Sequence, residues 1–350
     1  MSIKSLKIGE LEAQIPVIQG GMGVGVSLSN LAGAVALAGG IGIISTAQIG
    51  YRDPLFDKDP IGCNLRAIAE EIGKARAIAP KGIIGVNIMV ATKNYEVYVK
   101  AAIDAGADIL ISGAGLPMSL PEIAGETRTK LAPIVSSVKS AQVILKYWLK
   151  KYNRLPDLVV IEGPLAGGHL GFKREQLEHI QELDYDKEIC NIIDIVNEAA
   201  TAKQTVVPVV VAGGIYNRQD MEHQLKLGAA GVQVATRFVT TYECDAPMAY
   251  KQTYIDAKKE DILIVNSPVG MPGRAIHNAF LDKVSAKSVK KGICHQCIST
   301  CKPAETPYCI TDALVNAVKG NVEDALLFCG ANAYRAQGLE HVADIMKEFA

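Results

Sequence analysis

Three groups of residues in this 350-residue chain have the types and spacing to do chemistry. The first is Glu162-Gly163-Pro164-Leu165-Ala166-Gly167-Gly168-His169-Leu170-Gly171. Closely spaced glycines let a backbone approach a flat or anionic ligand without interference from Cβ atoms. His169 adds the side chain that titrates nearest neutral pH, which suits proton transfer. A tight turn with a solvated His is the plainer reading of an isolated Gly-Gly-His; its place after a strand favours a site. The second group is Val211-Ala212-Gly213-Gly214-Ile215 with Gly231-Val232-Gln233-Val234-Ala235-Thr236-Arg237. Paired glycine turns with a hydroxyl and a guanidinium suit a phosphate held by backbone N–H groups. The third is Gln19-Gly20-Gly21-Met22-Gly23 with Asn87. Here a bare backbone and a soft thioether suit an aromatic ring system. An amide inside the apolar strand Gly85–Met89 needs a partner. That partner is a neighbouring strand or a bound cofactor.

A separate cluster, Cys294-x2-Cys297-x3-Cys301-x7-Cys309, encloses His295. Four thiolates suit tetrahedral zinc or an iron–sulfur cluster. The spacing matches neither a ferredoxin run nor paired Cys-x2-Cys knuckles. Reduced cysteines packing as small hydrophobes are the alternative, and both readings stay open.

The elements that must position these groups follow from periodicity. Short β-branched runs recur at residues 15–19, 41–45, 82–89, 108–112, 133–136, 158–162, 208–212 and 231–235. They are continuous rather than alternating, as parallel strands buried on both faces are. Helical periodicity separates them over residues 28–38, 66–79, 95–105, 140–151, 186–202 and 218–227. Eight βα repeats predict an α/β fold, a closed (β/α)8 TIM barrel, with its site at the strands' C-terminal ends. Phosphate binding then falls where barrels place it, after the seventh and eighth strands. After residue 238 the rhythm breaks. The expected organisation is a barrel over 1–240, a cap insertion with the Cys cluster over 241–310, and C-terminal helices over 311–350. No strand-length run is expected between Glu243 and Tyr308.

Composition narrows the function classes. Apolar residues are 49% and charged residues 21%, with 36 basic against 37 acidic side chains. A net charge of −1 offers no field for nucleic acid or an anionic membrane. Aromatics at 5% with a single Trp argue against a base-stacking platform. No apolar run approaches a membrane span, and the N-terminus lacks a signal peptide's apolar stretch. Scattered cysteines suit a reducing compartment. A cytoplasmic enzyme with a small-molecule substrate is expected, a homodimer being one option for its assembly.

Several phrases together carry a family resemblance: Pro16-Val17-Ile18-Gln19-Gly20-Gly21-Met22, Ala38-Gly39-Gly40-Ile41-Gly42, Gly85-Val86-Asn87, the Ala-Gly-Gly-His turn, Ala212-Gly213-Gly214-Ile215, Gln233-Val234-Ala235-Thr236-Arg237-Phe238 and Gly273-Arg274-Ala275-Ile276. In this order the chain resembles the nitronate monooxygenase (2-nitropropane dioxygenase) family. That family also contains flavin-dependent enoyl-acyl-carrier-protein reductases and some NADH:quinone reductases. The resemblance implies a TIM barrel holding FMN non-covalently. It places Gly21, Met22 and Asn87 at the isoalloxazine, Glu162, Gly167 and Gly168 along the FMN site, and Gly213, Gly214, Gln233, Val234, Ala235 and Thr236 at the phosphate. His169 takes the position of the family's active-site His. Relatives often carry Gln where this chain has Glu162.

Three functions follow. The first is oxidative denitrification of alkyl nitronates, with His169 binding the anion or removing the α-proton. The second is NAD(P)H-dependent reduction of an enoyl thioester or a quinone. The third, a non-catalytic flavin- or metal-binding protein, fits least well with an intact His169 and a full phosphate grip.

Overall fold

The computed structural model describes residues 3–350. The chain opens with an antiparallel hairpin, β1 (Leu6–Ile8) and β2 (Leu11–Ala13). Six barrel strands follow: β3 (Val17–Gln19), β4 (Ile41–Ser45), β5 (Ile83–Met89), β6 (Ile109–Gly113), β7 (Lys130–Val135) and β8 (Val159–Glu162). The two-residue β9 (Gly168–His169) leaves the barrel, and β10 (Val209–Ala212) and β11 (Gly231–Val234) complete it. All eight barrel strands are parallel and close in the order β10-β11-β3-β4-β5-β6-β7-β8, the (β/α)8 architecture expected from the sequence.

Continuous apolar strands split their side chains between two cores. Ile18, Ile43, Ile109, Ile111, Ala132, Val160 and Val210 fill the barrel interior. Leu6 and Ile8 of the hairpin join that cluster and plug the end where the strands begin. Alternate residues, including Ile44, Val86, Leu110, Leu131 and Ile161, meet the surrounding helices. The helices lie close on the sheet. A Cβ on Gly42 would stand 1.8 Å from the Ala32 carbonyl oxygen of the helix Ser29–Leu37. The helix Val138–Tyr152 starts on a Ser137 cap and buries Trp148 completely. The Trp148 Nε1–H donates to Pro117 O at 3.2 Å.

Beyond β11 the structure departs from the expectation of a strandless cap. β12 (Ile262–Asn266) and β13 (Pro272–Ile276) form an antiparallel pair there. The Ile262-Leu263-Ile264-Val265 run is an ordinary strand signal, whereas β13 opens on Pro-Gly-Arg and hides its own. β13 also pairs with β9, opposing Gly273 to His169 and Arg274 to Gly168. The lid is therefore stitched to the loop that carries His169. The expected helical periodicity over 311–350 resolves into two helices, Ile310–Val318 and Val342–Phe349, joined by a strap with short 3-10 turns. Val342, Ile345, Met346 and Phe349 pack with Leu31, Val35 and Met221. This last helix fills the gap between the helices Ser29–Leu37 and Arg218–Lys226, where an eighth barrel helix belongs.

One lid residue reaches back to secure the barrel. The helix Ser29–Leu37 has no cap of its own. Asp245 accepts from Leu28 N at 2.8 Å, Leu31 N at 3.2 Å and Asn30 N at 3.3 Å. Glu71 Oε2 takes Ser29 N at 2.9 Å. Carboxylates suit the unpaired N–H groups and positive dipole end of a helix. Replacing Asp245 by Ala leaves these donors unmet and is expected to cost about 2 kcal/mol of unfolding free energy. Urea denaturation checks this; a loss below ~0.5 kcal/mol would mean that water replaces the carboxylate.

Candidate functional site

The strands' C-terminal ends open into a cavity of about 1710 Å³ of empty space, mouth included. Its floor is the first glycine loop. A Cβ on Gly21 would stand 2.4 Å from the Asn87 Cβ, so the loop lies flat against Asn87 only because residue 21 lacks a side chain. The amides of Asn87 and Gln233 line the cavity; neither is among the hydrogen-bonded side chains of the described residues. Met22, Met89 and Ser45 complete this side.

The second glycine pair forms one end. Gly213 and Gly214 hold φ of +98° and +83°, the left-handed region that glycine tolerates. Cβ atoms there would meet Ala166 N and Leu165 Cδ1, each at 2.9 Å. Ala235 and Thr236 stand beside them. The strap supplies the rest: Gly330 N donates to Thr236 Oγ1 at 3.0 Å, and Asn332 Nδ2 donates to Gly214 O at 2.7 Å. Gly330, Ala331 and Asn332 thus join a site that lies about a hundred residues away in sequence. A Gly-x-Asn turn is too common a signal to have marked them.

His169 and Glu162 occupy the loop side, with Gly167 and Gly168 between them. His169 Nε2 lies 2.7 Å from Ser267 Oγ, and its ring meets Phe328 edge-on at 4.9 Å. Burial lowers its pKa to about 4, which leaves a neutral imidazole near pH 7. Glu162 faces the cavity with no cationic partner, and burial raises its pKa to about 7. Of the two roles expected for His169, a neutral ring suits the binding of an anionic or polar substrate group by hydrogen bonding.

Two expected contacts fall elsewhere. Arg237 turns away from the cavity: it pairs with Glu340 at 2.8 Å and Glu348 at 2.6 Å and donates to Tyr216 O. Strand alternation explains Val234, whose buried side chain packs outward with the helices; its carbonyl accepts from Gly20 N at 2.8 Å. Cys294, Cys297, Cys301 and Cys309 are free thiols around a second cavity under the lid. Among the described residues no three His, Cys, Asp or Glu groups converge on one metal position.

A family profile described as nitronate monooxygenase matches residues 4–350. The chain belongs to the nitronate monooxygenase family. It is 27% identical to a probable nitronate monooxygenase of Staphylococcus saprophyticus, over 81% of this chain and 82% of that one. It is 26% identical to a hydroxy-methyl-oxo-octahydroindene-carboxyl-CoA dehydrogenase of Mycobacterium tuberculosis, over 79% of this chain and 67% of that one. The structure of FabK from Thermotoga maritima shares the fold, with a TM-score of 0.72 at 24% identity over 96% and 92% of the chains. That of nitroalkane oxidase from Streptomyces ansochromogenes has a TM-score of 0.71 at 19% identity, over 96% and 94%. The family's members are flavin-dependent oxidoreductases, and this chain is an enzyme of that kind. No helix among the described residues is long and apolar enough to cross a membrane.

The residues present fit FMN. Gly21, Gly213 and Gly214 present bare backbone to the cavity, their missing Cβ atoms allowing close packing against Asn87, Ala166 and Leu165, and unpartnered amides at Asn87 and Gln233 await polar edges.

The two buried titrating groups pull stability in opposite directions. Between pH 4.5 and 7 the folded Glu162 keeps a proton that the unfolded chain releases, so its contribution falls as pH rises. Between pH 4 and 6.5 the unfolded chain protonates His169 and the fold does not, so that contribution grows as pH rises. Glu162→Gln removes the first trend alone. In the flavin-free protein its stability relative to the parent should increase from pH 4.5 to 7 and then level off. Denaturant titrations across that range measure it; a constant difference would place the Glu162 carboxyl in water.

Proposed function

We propose that this chain is an FMN-dependent nitronate monooxygenase that converts alkyl nitronates by oxidative denitrification. The observation that carries the reading is the placement of neutral His169 in the same cavity as the glycine loops suited to FMN. Gly21, Met22 and Asn87 would flank the ring, Glu162, Gly167 and Gly168 would line its path, and Gly213, Gly214, Gln233, Ala235 and Thr236 would hold the phosphate by backbone N–H groups and a hydroxyl. When bound, FMN supplies electron transfer from the substrate and onward to oxygen.

The chain's own residues orient and shield. Ser267 holds one nitrogen of His169, which fixes the ring and leaves the other nitrogen to meet a substrate oxygen. A base of pKa about 4 does not take a proton from a neutral nitroalkane, so the substrate is best supplied already ionised, as the nitronate. Met89, Ile298, Leu314 and Phe328 keep water from an alkyl tail.

One observation favours a second reading. Among the described residues no Lys or Arg lines the cavity, which suits a neutral, apolar acceptor such as an enoyl thioester or a quinone, with NAD(P)H as reductant. Anaerobic mixing decides between them. Flavin bleaching by an alkyl nitronate, and turnover on oxygen admission, supports the nitronate reading. Bleaching by NADH alone, with reoxidation by a crotonyl thioester or a quinone, overturns it.

His169→Ala removes one positioned hydrogen-bonding group and is expected to lower kcat/KM for a nitronate about 100-fold. Flavin content should stay at the parent's level, since the phosphate loops lie on other strands. Steady-state kinetics beside flavin quantitation test this; unchanged kcat/KM would remove His169 from the reaction.

A further inference from the structure

From Lys287 to Tyr308 the lid forms no helix and no ladder strand; its one β-bridge joins Ile298 to Thr92. Irregular segments this long are uncommon inside a compact fold; this one is tied through Ile298 and Tyr308, which pack with Phe280, Leu281 and Leu326 in a cluster that Cys297 and Cys301 border. The buried residues here are His295, Ile298 and Tyr308. Lys291 Nζ adds bonds to Pro303 O at 2.6 Å and Thr306 O at 2.9 Å.

What this segment does concentrate is sulfur. Cys294, Cys297, Cys301 and Cys309 all line one cavity of about 830 Å³ of empty space, its open mouth included, with Cys294 at the exposed rim. Gln296, between the first two, holds a left-handed φ of +49°, a conformation costly outside glycine and kept where surroundings demand it. His295 lines the same cavity. Asp312 Oδ1 holds its Nε2 at 3.0 Å, while its Nδ1 is buried without a hydrogen-bond partner.

The room between the thiols bears on which group they would bind. A tetrahedral zinc with Zn–S near 2.3 Å draws its sulfurs to roughly 3.8 Å of one another. Here the thiols rim a void, and no three ligands converge on one point. A cluster brings its own sulfides and spreads four cysteines over separate irons, so it needs thiols around a space.

We propose that Cys294, Cys297, Cys301 and Cys309 bind a four-iron iron–sulfur cluster in the lid cavity. Assembly takes two ferrous ions, two ferric ions and four sulfides, giving a core of charge +2, and releases one proton from each of four thiols. Cys297, Ile298 and Ile310 line this cavity and the main one alike, so the cluster fixes part of the active-site wall. It does so whichever substrate the enzyme takes.

The test uses the full chain with its flavin, purified without oxygen and reconstituted with ferrous and ferric iron and sulfide. About four irons and four sulfides per chain are expected, with a low-temperature EPR signal after dithionite reduction. The double variant Cys294→Ser and Cys309→Ser should lose that iron and signal while keeping its flavin. Stoichiometric zinc without iron, neither metal after reconstitution, or full iron in the double variant would each overturn the proposal. Should the variant fail to fold, the iron and sulfide content of the parent protein decides. Flavin content, read in parallel, reports separately on the FMN assignment.

Discussion

Arg274 is 4% exposed and meets no carboxylate among the described residues. Its guanidinium instead donates to the carbonyls of Pro164, at 2.8 Å, and Ala166. A buried charge is tolerated only when its donors are met, so this contact dictates where the Pro164–Gly168 loop must lie. The same residue pairs through its backbone with Gly168 and accepts from Cys329 N at 3.0 Å. Behind the loop, a Cβ on Gly167 would stand 2.5 Å from the Cys329 carbonyl carbon. Barrel loop, lid strand and strap are thus locked around one side chain, and the cavity is the space they leave. His169 owes its position to the lid as much as to the barrel.

That construction spends its charges on structure and keeps them out of the cavity. Arg237 joins the barrel's last loop to Glu340 in the strap and Glu348 in the final helix. Asp245 holds the first helix. The cavity retains one imidazole that stays neutral near pH 7 and one carboxyl whose pKa burial raises to about 7. The rest of its polar lining consists of amides, hydroxyls and backbone dipoles, whose strength does not change near neutral pH.

The barrel was legible because each parallel strand is buried on both faces and therefore writes a continuous apolar run. Short antiparallel pieces write no such signal: β1 and β2 have three residues each, and β9 has two. The glycine loops could be read because a missing Cβ is visible in sequence. Where a charged side chain goes could not. Arg237 sits beside Thr236, yet partners more than a hundred positions later claim it. Strand alternation turns the Val234 side chain outward, away from the cavity that its neighbours Gln233 and Ala235 line. Gly330 and Asn332 were illegible for a related reason: only the folded path of the strap brings them to Gly214 and Thr236.

The displaced eighth helix also bears on how the chain is made. More than a hundred residues separate β11 from Val342–Phe349, the helix that covers Leu31, Val35 and Met221. At the 5–20 residues per second of translation, roughly 5–20 s pass between synthesis of the last strand and of the helix that seals it. During that interval the seam between the first and seventh helices is an apolar groove open to water. The strands can close the ring through the pairing of β11 with β3, but its outer apolar seam is sealed only by residues made last.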